Sequence, residues 1–215
     1  MTDGDAVPDD LPSGATHAIY ELMNTQRAIR RFKPDPVPDE LIERLIFAAT
    51  RAPSGSNLQP WAFVVVKDAA KRQRISDALL AAVEAGGGFA DLDAIEDPEQ
   101  LRMMRGVNAL FRNFASAPVV IIPCLVNATS PATEGLLAGS SIYPSIQNLL
   151  LAARAEGLGT LLTTRQRSIL ETLSSVLNLP DGTMPVAIIP LGYPAVPFGP
   201  VNRKPIAEFI HWDQW

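Results

Sequence analysis

Positions 119–126 read VVIIPCLV, a run with no charged or strongly polar side chain. Successive side chains of a strand point to opposite faces, so a strand lying on water alternates apolar with polar residues, whereas one without alternation must be covered on both sides. This run is therefore expected to be a central strand. With 47% hydrophobic residues in a chain of 215, there is enough apolar material to cover it within one compact domain.

Leu41, Leu45, Ile46 and Ala49 recur at helical spacing, which predicts a helix over 39–51, capped by Asp39 and stopped by Pro53. A shorter helix is expected over 15–25, and one over 68–85 that Gly86, Gly87 and Gly88 terminate. After an acidic, irregular stretch at 89–98, another helix should run to Phe114. The stretch 136–156 has the length and period of a mostly buried helix ended by Gly157, and 166–177 reads as the last helix. The remaining strands are expected at 61–67, at LGTLLTT (158–164) and at 184–193, with a polar loop over 127–133. This order of elements predicts one α+β domain with a mixed sheet. Phe198, Phe209, Ile210, Trp212 and Trp215 make the C-terminal stretch too apolar for a free tail, so it is expected to dock on a surface such as a second subunit.

A net charge of -5 offers no broad basic surface for nucleic acid or an anionic membrane. No uncharged apolar run approaches the roughly 20 residues that span a bilayer. Cys124 is the single cysteine and lies in an apolar run, so an intramolecular disulfide is impossible and a buried thiol in a reducing cytoplasm is expected. Residues 1–14 are acidic and rich in Pro and Gly, lack the segments of a signal peptide, and read as a disordered tail. His17 and His211 have no ligand-like spacing to Asp, Glu or Cys, so no metal site is expected, and there is neither a nucleophile elbow nor a P-loop.

Two stretches could carry chemistry. Arg27, Arg30 and Arg31, with Lys33 behind them, form either a solvated face or a phosphate clamp, since arginine presents several donors in a fixed fork. Pro53, Ser54, Gly55, Ser56 and Asn57 make either an ordinary turn or a loop that lets a ligand approach the backbone and reads its polar edge. Trp61, which follows, is expected to pack in the core.

Taken as an ordered pair, QRAIRRF (26–32) and APSGSNLQPW (52–61) resemble the nitroreductase superfamily of FMN-dependent oxidoreductases. Its members commonly carry Arg-Arg-Ser-x-Arg-x-Phe, then a PVP helix start, then Ala-Pro-Ser-x-x-Asn-x-Gln-Pro-Trp. QNLLLAARAEGLGT (147–160), LGYP (191–194) and RKP (203–205) are also similar, so the resemblance runs over about 15–210.

The resemblance implies a three-layer fold over 15–193, a central mixed sheet flanked by helices, and a C-terminal arm, 194–215, exchanged in a homodimer. It implies FMN as cofactor and NADH or NADPH as reductant, with ping-pong hydride transfer to nitroaromatic, quinone or enone acceptors. No catalytic side chain is required when a flavin takes the hydride, which accords with the missing nucleophile. Arg27 and Arg30 would hold the phosphate and ribityl end, with the backbone of Ala28 beside them. Pro53, Ser54, Ser56 and Asn57 would contact the flavin of the partner subunit. Leu161, Leu162, Thr163 and Thr164 would run along the isoalloxazine, and Arg203 would return to the phosphate. Gln26 and Ala28 depart from the usual arginine and serine, removing one cationic and one hydroxyl contact. Alternatives are a reductive dehalogenase of the iodotyrosine type, a flavin-fragmenting enzyme, or a non-catalytic flavin-binding protein. The 89–114 region, with Asp91, Asp93, Glu96, Arg102 and Arg105, would be the lid that separates the enzymatic readings.

Overall fold

The computed structural model describes residues 15–127 and 135–215. The expected N-terminal tail, and the expected loop beyond Asn127, lie outside the described residues. Contacts divide the described residues into Ala28–Val196 and a second unit made of 15–27 with Pro197–Trp215.

The unit Ala28–Val196 is built on a sheet of β1 (Trp61–Val66), β2 (Val119–Leu125), β3 (Gly159–Thr160), β4 (Met184–Pro185) and β5 (Ile189–Gly192), in the order β1-β2-β5-β3 with β4 also on β2. β2 is buried along its whole length, as its composition requires. Its side chains divide the core by the period-two rule. Val119, Ile121 and Leu125 join Ile42, Leu45 and Ala49 of α2 (Asp39–Ala49) and Ile142, Ile146 and Leu149 of α5 (Gly135–Ala155). Val120, Ile122 and Cys124 face the other way, into Ile75 and Leu79 of α3 (Ala69–Ala85), Leu110 and Phe111 of α4 (Pro98–Arg112) and Leu173 of α6 (Leu170–Leu177). The result is helices, sheet, helices, an α+β fold in three layers. Trp61 packs on the α2 and α5 side, as a core residue.

Every pairing between these strands is antiparallel, and the parallel geometry enters through a bridge between Ala28 and Thr160. The mixed character of the sheet therefore rests on the arginine-bearing segment. The expected strand over 184–193 is two pieces. Ile121 faces Ile189 and Cys124 faces Pro185, so two residues of β2 oppose three of the neighbouring chain, and a bulge separates β4 from β5. Pro123 sits at that slip, where Val186 N–H donates to its carbonyl at 2.9 Å and the proline's missing donor breaks no regular ladder. The bulge turns the backbone of Ile188 away from β2, and it exchanges hydrogen bonds of 2.9 and 3.1 Å with Thr163.

Local signals in the sequence mark most helix ends. Asp68 and Asp97 accept from backbone N–H groups at the starts of α3 and α4, and Gly88 N–H reaches back to Val83 at the end of α3. Asp39 behaves otherwise: Pro38 is the residue preceding α2, and the Asp39 carboxylate is taken by Lys67 Nζ at 2.5 Å. The strand expected over 158–164 keeps regular pairing only at Gly159 and Thr160, and the helix expected from 166 begins as a 3-10 turn, Arg165–Ile169.

In the second unit, α1 (Ala15–Thr25) and the C-terminal segment are joined by a bond from Val201 N–H to Asn24 O at 2.9 Å. His211 and Trp215 stack with ring centroids 4.3 Å apart. Among the described residues, no helix is long and apolar enough to cross a membrane.

Candidate cofactor-binding site

The segment after α1 is held as an extended ribbon. Ile29 N–H donates to Thr160 O at 2.8 Å, Lys33 N–H to Tyr193 O at 2.8 Å, and Ala195 N–H to Arg31 O at 3.0 Å. Alternation along this ribbon sorts its side chains. Ile29 is buried, with 1% of its surface exposed, while Ala28 and Phe32 pack on the α3, α4 and α6 side of the sheet. Arg30 lies with its stem against α4, where its Cδ is 3.2 Å from the position a Cβ on Gly106 would take. Leu161 is buried in that same side of the core, so the structure brings Ala28, Arg30 and Leu161 to one face of the unit. Leu162 packs on the opposite side. Thr163 is half-buried and fixed by Ile188, and Thr164, which precedes the 3-10 turn, is exposed.

The loop between α2 and β1 is small, exposed and strained. Ser56, Asn57 and Gln59 adopt φ of 50°, 55° and 50°, a left-handed conformation that residues with a Cβ rarely take. Nothing lies within 4 Å of a Cβ placed on Gly55, so open space stands over the loop at that point. The strain is held in place by bonds within the loop and by one to α5. Ser54 Oγ accepts from Gln59 N–H at 3.0 Å, Ser141 Oγ of α5 accepts from Gly55 N–H at 3.2 Å, and Trp61 N–H donates to Gln59 O at 2.8 Å. Ser54 thus spends its oxygen closing the loop, whereas Ser56, Asn57 and Pro53 face solvent. Strained backbone that the surroundings over-determine is characteristic of ligand-contacting loops.

Arg27 and Arg203 belong to the other unit, and both are exposed. The Arg27 guanidinium passes 3.5 Å from where a Cβ on Gly199 would be, and Arg203 Nη1 donates to Asn202 O at 2.8 Å. Within the unit Ala28–Val196 the donors suit a flavin mononucleotide: the Arg30 guanidinium for a phosphate, and a loop of small polar residues beneath open space for a flat ring. Two residues that bear on this set were not picked out from sequence. Ser141 is one, and nothing in its helical context marks it. Gly106 is the other, and a glycine inside a helical stretch, which costs stability relative to alanine, is the signal of a packing reason that could have found it.

Over 202 residues the chain is 30% identical to an NADH dehydrogenase of Thermus thermophilus, covering 87% of this chain and 92% of that protein. It is 28% identical over 191 residues to the iodotyrosine deiodinase of Haliscomenobacter hydrossis, covering 87% and 84%. The solved iodotyrosine deiodinase bound to FMN and 3-iodo-L-tyrosine has the same fold, with a TM-score of 0.73 at 23% identity over 92% of this chain and all of that one. The sequence profile of the nitroreductase family matches residues 24–193, and this chain belongs to that family.

Proposed function

We propose that the protein is an FMN-dependent oxidoreductase that takes its electrons from NADH or NADPH and passes them to a small aromatic or conjugated acceptor. The observation that carries this reading is the shared face of Ala28, Arg30 and Leu161, reached from segments more than 130 residues apart, in a chain of the nitroreductase family. When bound, FMN supplies a ring that accepts a hydride and returns it to the second substrate. The chain's part is to bind and orient. Arg30 holds the phosphate end, Leu161, Leu162, Thr163 and Thr164 border the ring, and the Ser56 and Asn57 backbone meets it across the loop. Alternate use of one site by reductant and acceptor gives ping-pong kinetics.

A homodimer is part of the proposal. The loop enters β1 at one edge of the sheet, whereas Ala28 runs beside β3 at the other. At about 4.8 Å per strand the two lie on the order of 19 Å apart, which supports the loop serving a flavin in a partner subunit. Phe47, Leu58 and Tyr143 are 64%, 65% and 42% exposed on α2, the loop and α5, an apolar surface suited to a second copy. Trp212 and Trp215 of the C-terminal arm are 81% and 99% exposed and fit the same arrangement.

A second reading keeps FMN and makes the reaction a reductive dehalogenation. Its support is the likeness to iodotyrosine deiodinases in sequence. Purified protein should be yellow and should bleach with NADH or NADPH under anaerobic conditions, and an acceptor panel of nitroaromatics, quinones and halotyrosines then separates the two reactions. A colourless protein that gains no activity with added FMN would refute both.

A further inference from the structure

Gly106 stands inside α4, eight residues after Pro98 and six before Arg112. It is absent from the glycines of positive φ among the described residues, which are Gly87, Gly88, Gly157 and Gly182, and it caps nothing. Only proline is less favoured than glycine in a helix interior, so neither a turn nor a helix end accounts for it. What a side chain there would meet does account for it. Among the described residues, a Cβ on Gly106 would lie 3.2 Å from Arg30 Cδ and 3.9 Å from Arg30 Nη1, with nothing else within 4 Å outside the helix's own backbone. Arg30 cannot retreat as a whole, because the bonds of Ile29 to Thr160 and of Ala195 to Arg31 fix its backbone on either side. An added methyl group would press on the arginine stem, which must give by a few tenths of an ångström and carries its guanidinium with it.

We propose that Gly106 is a positioning residue for Arg30: the bare backbone of α4 seats the arginine stem and sets the direction in which its guanidinium meets the flavin phosphate. This rests on the assignment of Arg30 to FMN made above. It also makes α4, the helix of the candidate lid, part of flavin binding, so that the phosphate end of the cofactor and the acceptor side share one element.

The test is a double-mutant cycle on the full-length protein. Wild type, Gly106→Ala, Arg30→Ala and the double variant are titrated with FMN and with riboflavin, and binding is read by flavin fluorescence. Gly106→Ala should weaken FMN on the order of fivefold and riboflavin by less than about twofold, because only FMN carries the group that Arg30 is aimed at. In the Arg30→Ala background, Gly106→Ala should leave FMN affinity unchanged. Equal losses for the two flavins, a full loss in the Arg30→Ala background, or no loss at all each overturn the seating role. If Gly106→Ala alone folds poorly, the double variant, which lacks the obstructing stem, must fold, and its failure also overturns the role. A wild-type protein that binds neither flavin refutes the cofactor assignment instead.

Discussion

Ile29 donates its backbone N–H to Thr160 O at 2.8 Å, and its side chain fills the space into which a Cβ on Gly159 would project, 2.8 Å from Ile29 Cγ2. This pair ties the arginine-bearing ribbon to β3. Gly159→Ala is therefore an overpacking substitution, expected to cost about 1–3 kcal/mol and to lower FMN content by moving Ala28 and Arg30. Gly55→Ala is the control for stability, since open space surrounds it, and should shift stability by no more than about 0.5 kcal/mol. Urea unfolding of the two variants reads both values, and equal stability in Gly159→Ala and wild type would show that the ribbon yields.

Ser56 tests the strained loop. At φ 50° a β-branched side chain is strongly disfavoured, so Ser56→Val should destabilise by about 1–3 kcal/mol and reduce FMN content. Ser56→Gly fits that backbone and should hold or slightly raise the unfolding midpoint. The same ranking measured by thermal unfolding would hold even if the hydroxyl were idle, so FMN content of Ser56→Gly reports separately on the hydroxyl.

Ser54 has a different role from its neighbour. Its oxygen accepts from Gln59 N–H at 3.0 Å, and Ser54→Ala should cost about 0.5–1.5 kcal/mol by releasing that bond. Hydrogen exchange at the Gln59 amide should quicken in this variant and remain slow in Ser56→Gly.

Cys124 is fully buried, and burial pushes its thiol up to about 11 from an ordinary 9.0. The folded protein holds this proton more tightly than the unfolded chain does. That contribution to stability is complete below pH 9.0 and is lost as the pH rises toward about 11. At neutral pH the thiol should be inert to an aromatic disulfide reagent until denaturant is added, and rapid labelling of the native protein would contradict its burial.

Arg44 of α2 and Glu156, just beyond α5, form a bidentate pair at 2.9 and 3.2 Å. The hydrogen bonds from Arg44, and after them its charge, hold the Glu156 carboxyl below its ordinary 4.5. A depressed carboxylate contributes stability above pH 4.5 that is lost as the pH falls through its folded value. Both side chains are exposed, so the effect is small and screened by salt. The difference in urea midpoint between wild type and Glu156→Gln should be present at neutral pH and low salt, and should close on acidification or at high salt.

The sequence by itself determined what depends on near neighbours along the chain. Unbroken apolarity marked β2 as central, the period of α2 and α5 gave their buried faces, and the glycines at 86–88 and 157 ended helices where local geometry demands it. The ordered motifs also gave the family and the candidate contacts at Arg27, Arg30 and the 53–57 loop. Only the tertiary structure decided which of several possible partners each group takes. Asp39 left the cap for Lys67, the 184–193 run broke at a bulge that freed Ile188 for Thr163, and LLTT left the ladder after Thr160. It decided too that Ser54 closes its own loop and that Gly106 makes room for Arg30. Periodicity records which face of an element is buried, but a hydrogen bond or a steric contact joins residues far apart in sequence, and its outcome is set by which competing group the fold brings within about 3 Å.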